Sequence, residues 1–132
     1  MLRALLVTHG DLARVLLETA QGIVGSVEGV ETLTNRGLSR DGLAQAVEER
    51  VAAWEGAGGI VLTDIQGGSC TQAALLGVAE RRQVAVIAGV NLPMLVDFLV
   101  NRGHYDTRGM AERLVEKGRN GVRALAPPAR AS

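Results

Sequence analysis

Four short apolar runs, each closed by a polar or glycine break and followed by a helical pattern, constrain this chain more than any other feature. They are Leu2 to Val7, the weaker Val27 to Leu33, "GIVLTD" at 59–64 and "VAVIAG" at 84–89. None is long enough to be a packed helix, and none shows the strict alternation of a strand with one wet face. Leu2 to Val7 reads as a strand buried on both faces of a sheet, 59–64 as a further buried strand, 84–89 as the fourth strand and Val27 to Leu33 as a weaker one. The segments between them carry helical spacing. Leu12, Val15, Leu16, Ala20 and Ile23 follow Asp11, a good N-cap residue. Leu43, Val47, Val51 and Trp54 follow Ser39, with Leu38 and Leu43 placed as a hydrophobic staple across that cap. Glycines at 56, 58 and 59 stop this second stripe.

Ser69 and Gln72 have the spacing of a capping box ahead of a small-residue helix, Ala73 to Ala79. Pro93 suits the first turn of the next helix. A last helix is expected from about Asp106 to Lys117, stopped by Gly118. "GVRALA" then reads as a short strand and "PPARAS" as a frayed tail. With no linker and no internal repeat, a single domain over 1–126 with a tail at 127–132 is expected. Strands alternating with helices predict a doubly wound, four-stranded parallel sheet with right-handed crossovers and helices on both faces.

Composition removes several classes. At 132 residues and 47% apolar, the chain can bury a real core. Its 14 basic and 14 acidic residues balance, and the basic ones are scattered, which argues against nucleic acid or a membrane surface as partner. One cysteine, Cys70, excludes an internal disulfide and supplies no metal-binding spacing. The apolar start "MLRALLV" is too short for a leader, and no stretch is long enough to cross a bilayer. A soluble, cytoplasmic chain without membrane insertion is expected.

In open parallel sheets the ligand crevice lies beyond the carboxyl ends of the strands, where the strand order reverses. In the order 2-1-3-4 that point falls between the first and third strands, which end at His9 and Asp64. Neighbouring strands are about 4.8 Å apart, so an imidazole and a carboxylate leaving one edge can touch. The carboxylate would then fix the ring's tautomer and leave the other nitrogen free as nucleophile or base. After Asp64, "GGSCTQ" offers Gly67 and Gly68 for close backbone approach. The free N–H groups of a helix start and the Ser69 hydroxyl add donors suited to a phosphate. No acyl-transfer motif, metal pair of histidines or GxxxxGK[ST] loop is present. Each element also has a plainer reading: His9 as a turn residue, Asp64 and the glycines as turn formers, Cys70 as an ordinary helix-start residue. His104 reads as surface and Trp54 as core.

With these residues in view, the chain resembles the IIA proteins of the mannose/fructose/sorbose family of the sugar phosphotransferase system (PTS). The resemblance rests on "VTHGDLA", "TDIQGGS", "VIAGVNLPML" and "GRNGVRAL", in that order, and spans residues 2 to about 125. It implies that His9 accepts phosphate at Nε2 and that Asp64 orients it. Gly67, Gly68, Ser69 and Cys70 would surround the phosphate, with no metal and no cofactor. It implies a histidine phosphocarrier protein as donor and a separate IIB component as acceptor, because the chain ends at Ser132. It implies a homodimer in which the strand around Gly121 to Ala126 is exchanged as an antiparallel fifth edge strand. Two other roles share the site: a regulatory IIA whose phosphorylation state controls a partner, and the subunit that feeds dihydroxyacetone kinase. One departure is Cys70, where many members carry proline.

Overall fold

The chain's structure, a computed structural model, describes residues 1–129. Its elements are β1 (Arg3–Thr8), α1 (Leu12–Val24), β2 (Val30–Thr34), α2 (Arg40–Ala52), β3 (Gly59–Thr63), α3 (Ser69–Gly77), β4 (Val84–Ala88), α4 (Leu92–Asn101) and α5 (Thr107–Asn120). The four strands pair in parallel in the order β2-β1-β3-β4. This is the sheet expected from the alternation of runs.

Because successive strand residues point to opposite faces, each central strand feeds two cores. Ala4, Leu6, Ile60 and Leu62 face α1, α4 and α5, whose Ala20, Leu95, Phe98, Met110 and Leu114 are buried there. Leu5, Val7 and Val61 face α2 and α3, where Leu43, Val47, Trp54, Cys70 and Ala73 complete the second core. Trp54 lies just past the end of α2 and is buried, as expected. Gly77 is where α3 crosses closest to α2. A Cβ there would lie 2.7 Å from the Ala44 carbonyl and 2.8 Å from Val47, so only hydrogen fits.

Several local expectations are corrected. β2 begins at Val30, after a turn closed by the Val30 N–H on the Val27 carbonyl with Gly29 in the left-handed region, so Val27 precedes the strand. The buried face of α1 is Ala13 and Ala20 with Leu16, Leu17 and Val24 packed beside them, whereas Leu12, Val15 and Ile23 are exposed. Asp11 makes no cap bond. Thr8 Oγ1 accepts the Ala13 N–H at 2.7 Å instead, and Asp11 turns to Arg36. Ser39 caps α2 through the Gly42 N–H as expected, though Leu38 is exposed. Pro93 is in the first turn of α4, capped by Asn91.

Gly118 does not end α5. It is buried within the helix, where a Cβ would lie 2.6 Å from the end of Met94, and the helix runs on to Asn120. Past Gly121, residues 122–129 form no strand in this single chain and are exposed. The last three tail positions, 130–132, lie outside the described residues. Among the described residues no helix is long and apolar enough to cross a membrane.

Candidate functional site

The register of β1 on β3 sets Val7 against Thr63, so both chains leave the sheet together at its carboxyl edge. One residue later on β3 comes Asp64, and two later on β1 comes His9. The chain turns at once after His9, because Gly10 has φ +56°, a left-handed conformation that glycine adopts without cost. The Gly10 N–H is held by Asn35 Oδ1 at 3.1 Å, from the end of neighbouring β2.

Asp64 Oδ2 accepts from the His9 backbone N–H at 2.9 Å and stands 2.8 Å from His9 Nδ1. Its Oδ1 accepts the Ile65 N–H at 3.0 Å. A carboxylate with two donors already on it takes the Nδ1 proton as a third. The ring is therefore held as the Nδ1–H tautomer, with a lone pair on Nε2. The Asp64 side chain is 7% exposed and that of His9 is 44% exposed, so the anchor is covered and the reactive ring is open. Burial pushes the Asp64 carboxyl up, but the His9 N–H, the ring and its charge outweigh burial and hold it below its ordinary value.

Nε2 faces Ser69 Oγ at 3.3 Å, close enough for the hydroxyl to donate to the free lone pair. Ser69 does not form the expected capping box. It is the first residue of α3 behind Gly68, and Gln72 turns back to the Gly67 carbonyl at 3.2 Å. The first helical bond is Gln72 N–H to the Gly68 carbonyl. The N–H groups of Ser69, Cys70 and Thr71 therefore precede the helical ladder as free donors at a positive dipole end. Gly67 has φ +79°, and Gly68 lets the loop lie against the ring: a Cβ there would be 3.7 Å from His9 Cε1.

The loop is pinned from below. The Thr71 hydroxyl donates to the Ile65 carbonyl at 2.6 Å, so the Thr63 hydroxyl must donate to Thr71 Oγ1, also at 2.6 Å. Cys70 is fully buried under the imidazole, with Sγ 3.7 Å from Nδ1. That is nearer a base than a plain helix-start residue would be. Burial, then the Asp64 charge, push its thiol up, and the Ser69 hydrogen bond offsets part of this. His9, Asp64 and Cys70 each offer one ligand atom, all within 4.8 Å of one another.

Thus all six residues singled out in the sequence, His9, Asp64, Gly67, Gly68, Ser69 and Cys70, meet at one edge, and exposed His104 is no part of it. Asn35, Thr8, Thr63 and Thr71 were not foreseen. Asn35 was within reach, because the order 2-1-3 sets the end of β2 beside that of β1.

A doubly wound sheet here presents an imidazole–carboxylate pair against a glycine loop and a helix start, a set of donors suited to a phosphate group. Comparison with known proteins goes further. The family model for the PTS system fructose IIA component (EIIA-man) matches residues 3–115, and the chain belongs to that family, as a IIA component of the mannose type. It is 36% identical over 121 residues to the PTS system mannose-specific EIIAB component of Escherichia coli K12. That match covers 89% of this chain but 38% of the relative, so the chain spans well under half the length of the curated relatives it matches. The mannose/sorbose specific IIA subunit from Enterococcus faecalis superposes with TM-score 0.78 at 25% identity, over 98% of each chain. The EIIA component from Streptococcus agalactiae shares the fold, with TM-score 0.86 at 22% identity over 94% of this chain and 97% of that one.

Proposed function

We propose that this chain is a cytoplasmic phosphohistidine carrier. His9 Nε2 takes a phosphoryl group from the histidine phosphocarrier protein and passes it to a separate IIB component for sugar uptake. One observation carries the reading: Asp64 takes Nδ1–H, which leaves the Nε2 lone pair aimed at Ser69 and the start of α3. In the forward step the Nε2–P bond forms as the donor's N–P bond breaks. The Nδ1 proton stays in place, and the ring's new positive charge rests against the Asp64 carboxylate. The phosphoryl oxygens are received by the Ser69 hydroxyl and the amides of Ser69, Cys70 and Thr71. Fixed donors of this kind stabilise a loose phosphoryl transition state by position and field alone. No bound cofactor is required by this scheme.

The domain is taken as residues 1–126, and the chain as a homodimer. Among the described residues β4 has β3 on one side only, and the apolar residues Val122 and Leu125, which follow α5, are exposed. An antiparallel strand of residues 121–126 exchanged with a second copy would cover that edge. Sedimentation should give a dimer at micromolar concentration, and a stable monomer would refute the exchange.

The chemical test is incubation with phosphoenolpyruvate, enzyme I and the phosphocarrier protein. Acid-labile label is expected on the wild type and none on His9→Ala. Label that survives the substitution, or that maps to His104, overturns the assignment. Onward transfer then separates the roles. Delivery to a sugar-specific IIB supports transport, whereas delivery only to a dihydroxyacetone kinase subunit, or to nothing, replaces it with the kinase-feeding or regulatory role.

A further inference from the structure

The buried cysteine beneath the reactive ring has no part in the phosphoryl scheme beyond its backbone amide. We infer that His9 Nδ1, Asp64 Oδ2 and Cys70 Sγ form a binding site for a thiophilic divalent cation such as Zn2+, and that the ion switches the carrier off.

The donor set is one imidazole, one carboxylate and one thiol, the mixture that Zn2+ takes, with a fourth position left to water. With Zn–S about 2.3 Å and Zn–N and Zn–O about 2.0–2.2 Å, the edges of a tetrahedron measure about 3.3–3.6 Å. Here Sγ to Nδ1 is 3.7 Å, just beyond that length, and all three donor atoms lie within 4.8 Å of one another, so the thiol must draw in slightly toward the Asp64 oxygen. Nδ1 to Oδ2 is 2.8 Å and must open by about half an ångström once the ion replaces the shared proton. The outer support exists, since the Ile65 N–H holds Asp64 Oδ1. The half-exposed imidazole gives an ion access to the ring from solvent.

The consequence for the ring follows from proton balance. Coordination needs the Nδ1 lone pair, so the Nδ1 proton is lost and Nε2 takes one up from water, leaving the ring neutral. The Cys70 thiol proton is released, so one proton leaves per ion bound, and the ion sheds water as three bonds to protein form. The ring is then an Nε2–H tautomer, with Ser69 Oγ as acceptor, and has no lone pair with which to attack phosphorus. The blocking role rests on the phosphocarrier reading above; the ion site itself does not.

The test titrates the full chain with Co2+ alone, then competes with Zn2+. Expected are one ion per chain, a thiolate-to-cobalt charge-transfer band and release of about one proton per ion at neutral pH. Cys70→Ala and Cys70→Ser should each remove the band and weaken binding by at least the roughly 10–100-fold that loss of a supporting group costs. His9→Ala, at an exposed position that leaves the core intact, should do the same, with circular dichroism confirming the fold of each variant. Phosphoryl acceptance from purified phosphorylated carrier protein should fall at least about 10-fold in saturating Zn2+ and return with a zinc-selective chelator. Each Cys70 variant is scored against its own metal-free rate. No charge-transfer band, or equal affinity in wild type and both Cys70 variants, overturns the ion site. A Cys70-dependent band in a chain that never accepts phosphate keeps the site and refutes the carrier reading. A bound ion that leaves acceptance unchanged refutes the switch.

Discussion

Replacing Asp64 by asparagine changes one atom and tests the logic of the site. The native carboxylate receives three donors: the His9 N–H and Nδ1 on Oδ2, and the Ile65 N–H on Oδ1. An amide offers one oxygen and one NH2 group, so one of its two sides must meet a donor with a donor. If the oxygen stays on the His9 side, every bond becomes neutral and Ile65 loses its partner. If the amide flips, its NH2 donates to Nδ1 and drives the ring to the Nε2–H tautomer, which cannot attack.

Two Coulomb effects of losing the charge oppose each other. A phosphorus on Nε2 would lie about 6 Å from Oδ2, where a dianion costs about 5–6 kcal/mol at an effective dielectric of ~20. The positive ring, centred about 4 Å from the same oxygen, returns about 4 kcal/mol under the same assumption. At full dianion charge these leave about 1–2 kcal/mol in favour of the uncharged side chain. In a loose transition state whose phosphoryl group carries about one negative charge, the repulsion falls to about 3 kcal/mol, below the attraction of the ring, so charge and tautomer then act in the same direction. Losing charge assistance at a bond of this kind is worth about 1–3 kcal/mol, which is a slowing of roughly 10–100-fold. The assay is the initial rate of transfer from phosphorylated carrier protein, with the ring tautomer read by nitrogen NMR of His9. An Asp64→Asn chain that keeps the Nδ1–H tautomer and a rate within about twofold of wild type would refute the reasoning.

Thr71→Val strands the buried Thr63 hydroxyl and leaves the Ile65 carbonyl with the Gly68 N–H alone, and should cost about 1–3 kcal/mol in a denaturant titration. Gly77→Ala forces a Cβ within 2.8 Å of Val47, and should lower stability by about 1–3 kcal/mol with the site's chemistry unchanged once folded. Because the folded state holds the Asp64 carboxyl below its unfolded value, its contribution to stability is complete above the ordinary carboxylate range. That contribution is lost as pH falls through the lowered value. The acid limb of the stability profile should therefore be shallower in Asp64→Asn than in wild type, and an unchanged limb would contradict it.

The sheet was legible because its signal is collective: apolar runs alternating with helical patterns point to a parallel sheet with helices on both faces. The helix faces were less so. Leu12, Val15 and Ile23 are large, apolar and correctly spaced, yet α1 buries the smaller Ala13 and Ala20, because close approach to the sheet favours alanine. Gly118 looked like a stop, but its lack of a side chain serves Met94 and not a turn. At the site, His9, Asp64 and the loop were readable since each ends a strand or follows one. Thr8, Thr63 and Thr71 were not, because a threonine in a strand or helix looks the same whether its hydroxyl binds a neighbour or only its own turn. The thiol's place under the ring depends on side-chain packing that spacing does not encode.

The pairing of Val7 with Thr63 makes the two central strands a ruler for this molecule's descent. A side chain swapped anywhere along β1 or β3 alters packing by degrees. One residue inserted or removed within either strand flips that strand's side chains between the two cores or displaces the point at which His9 or Asp64 leaves the carboxyl edge, and the pair is lost outright. Variation in length should therefore be confined to the opposite edge and to turns such as that at Gly25–Gly29, where the count of residues carries no meaning for the imidazole.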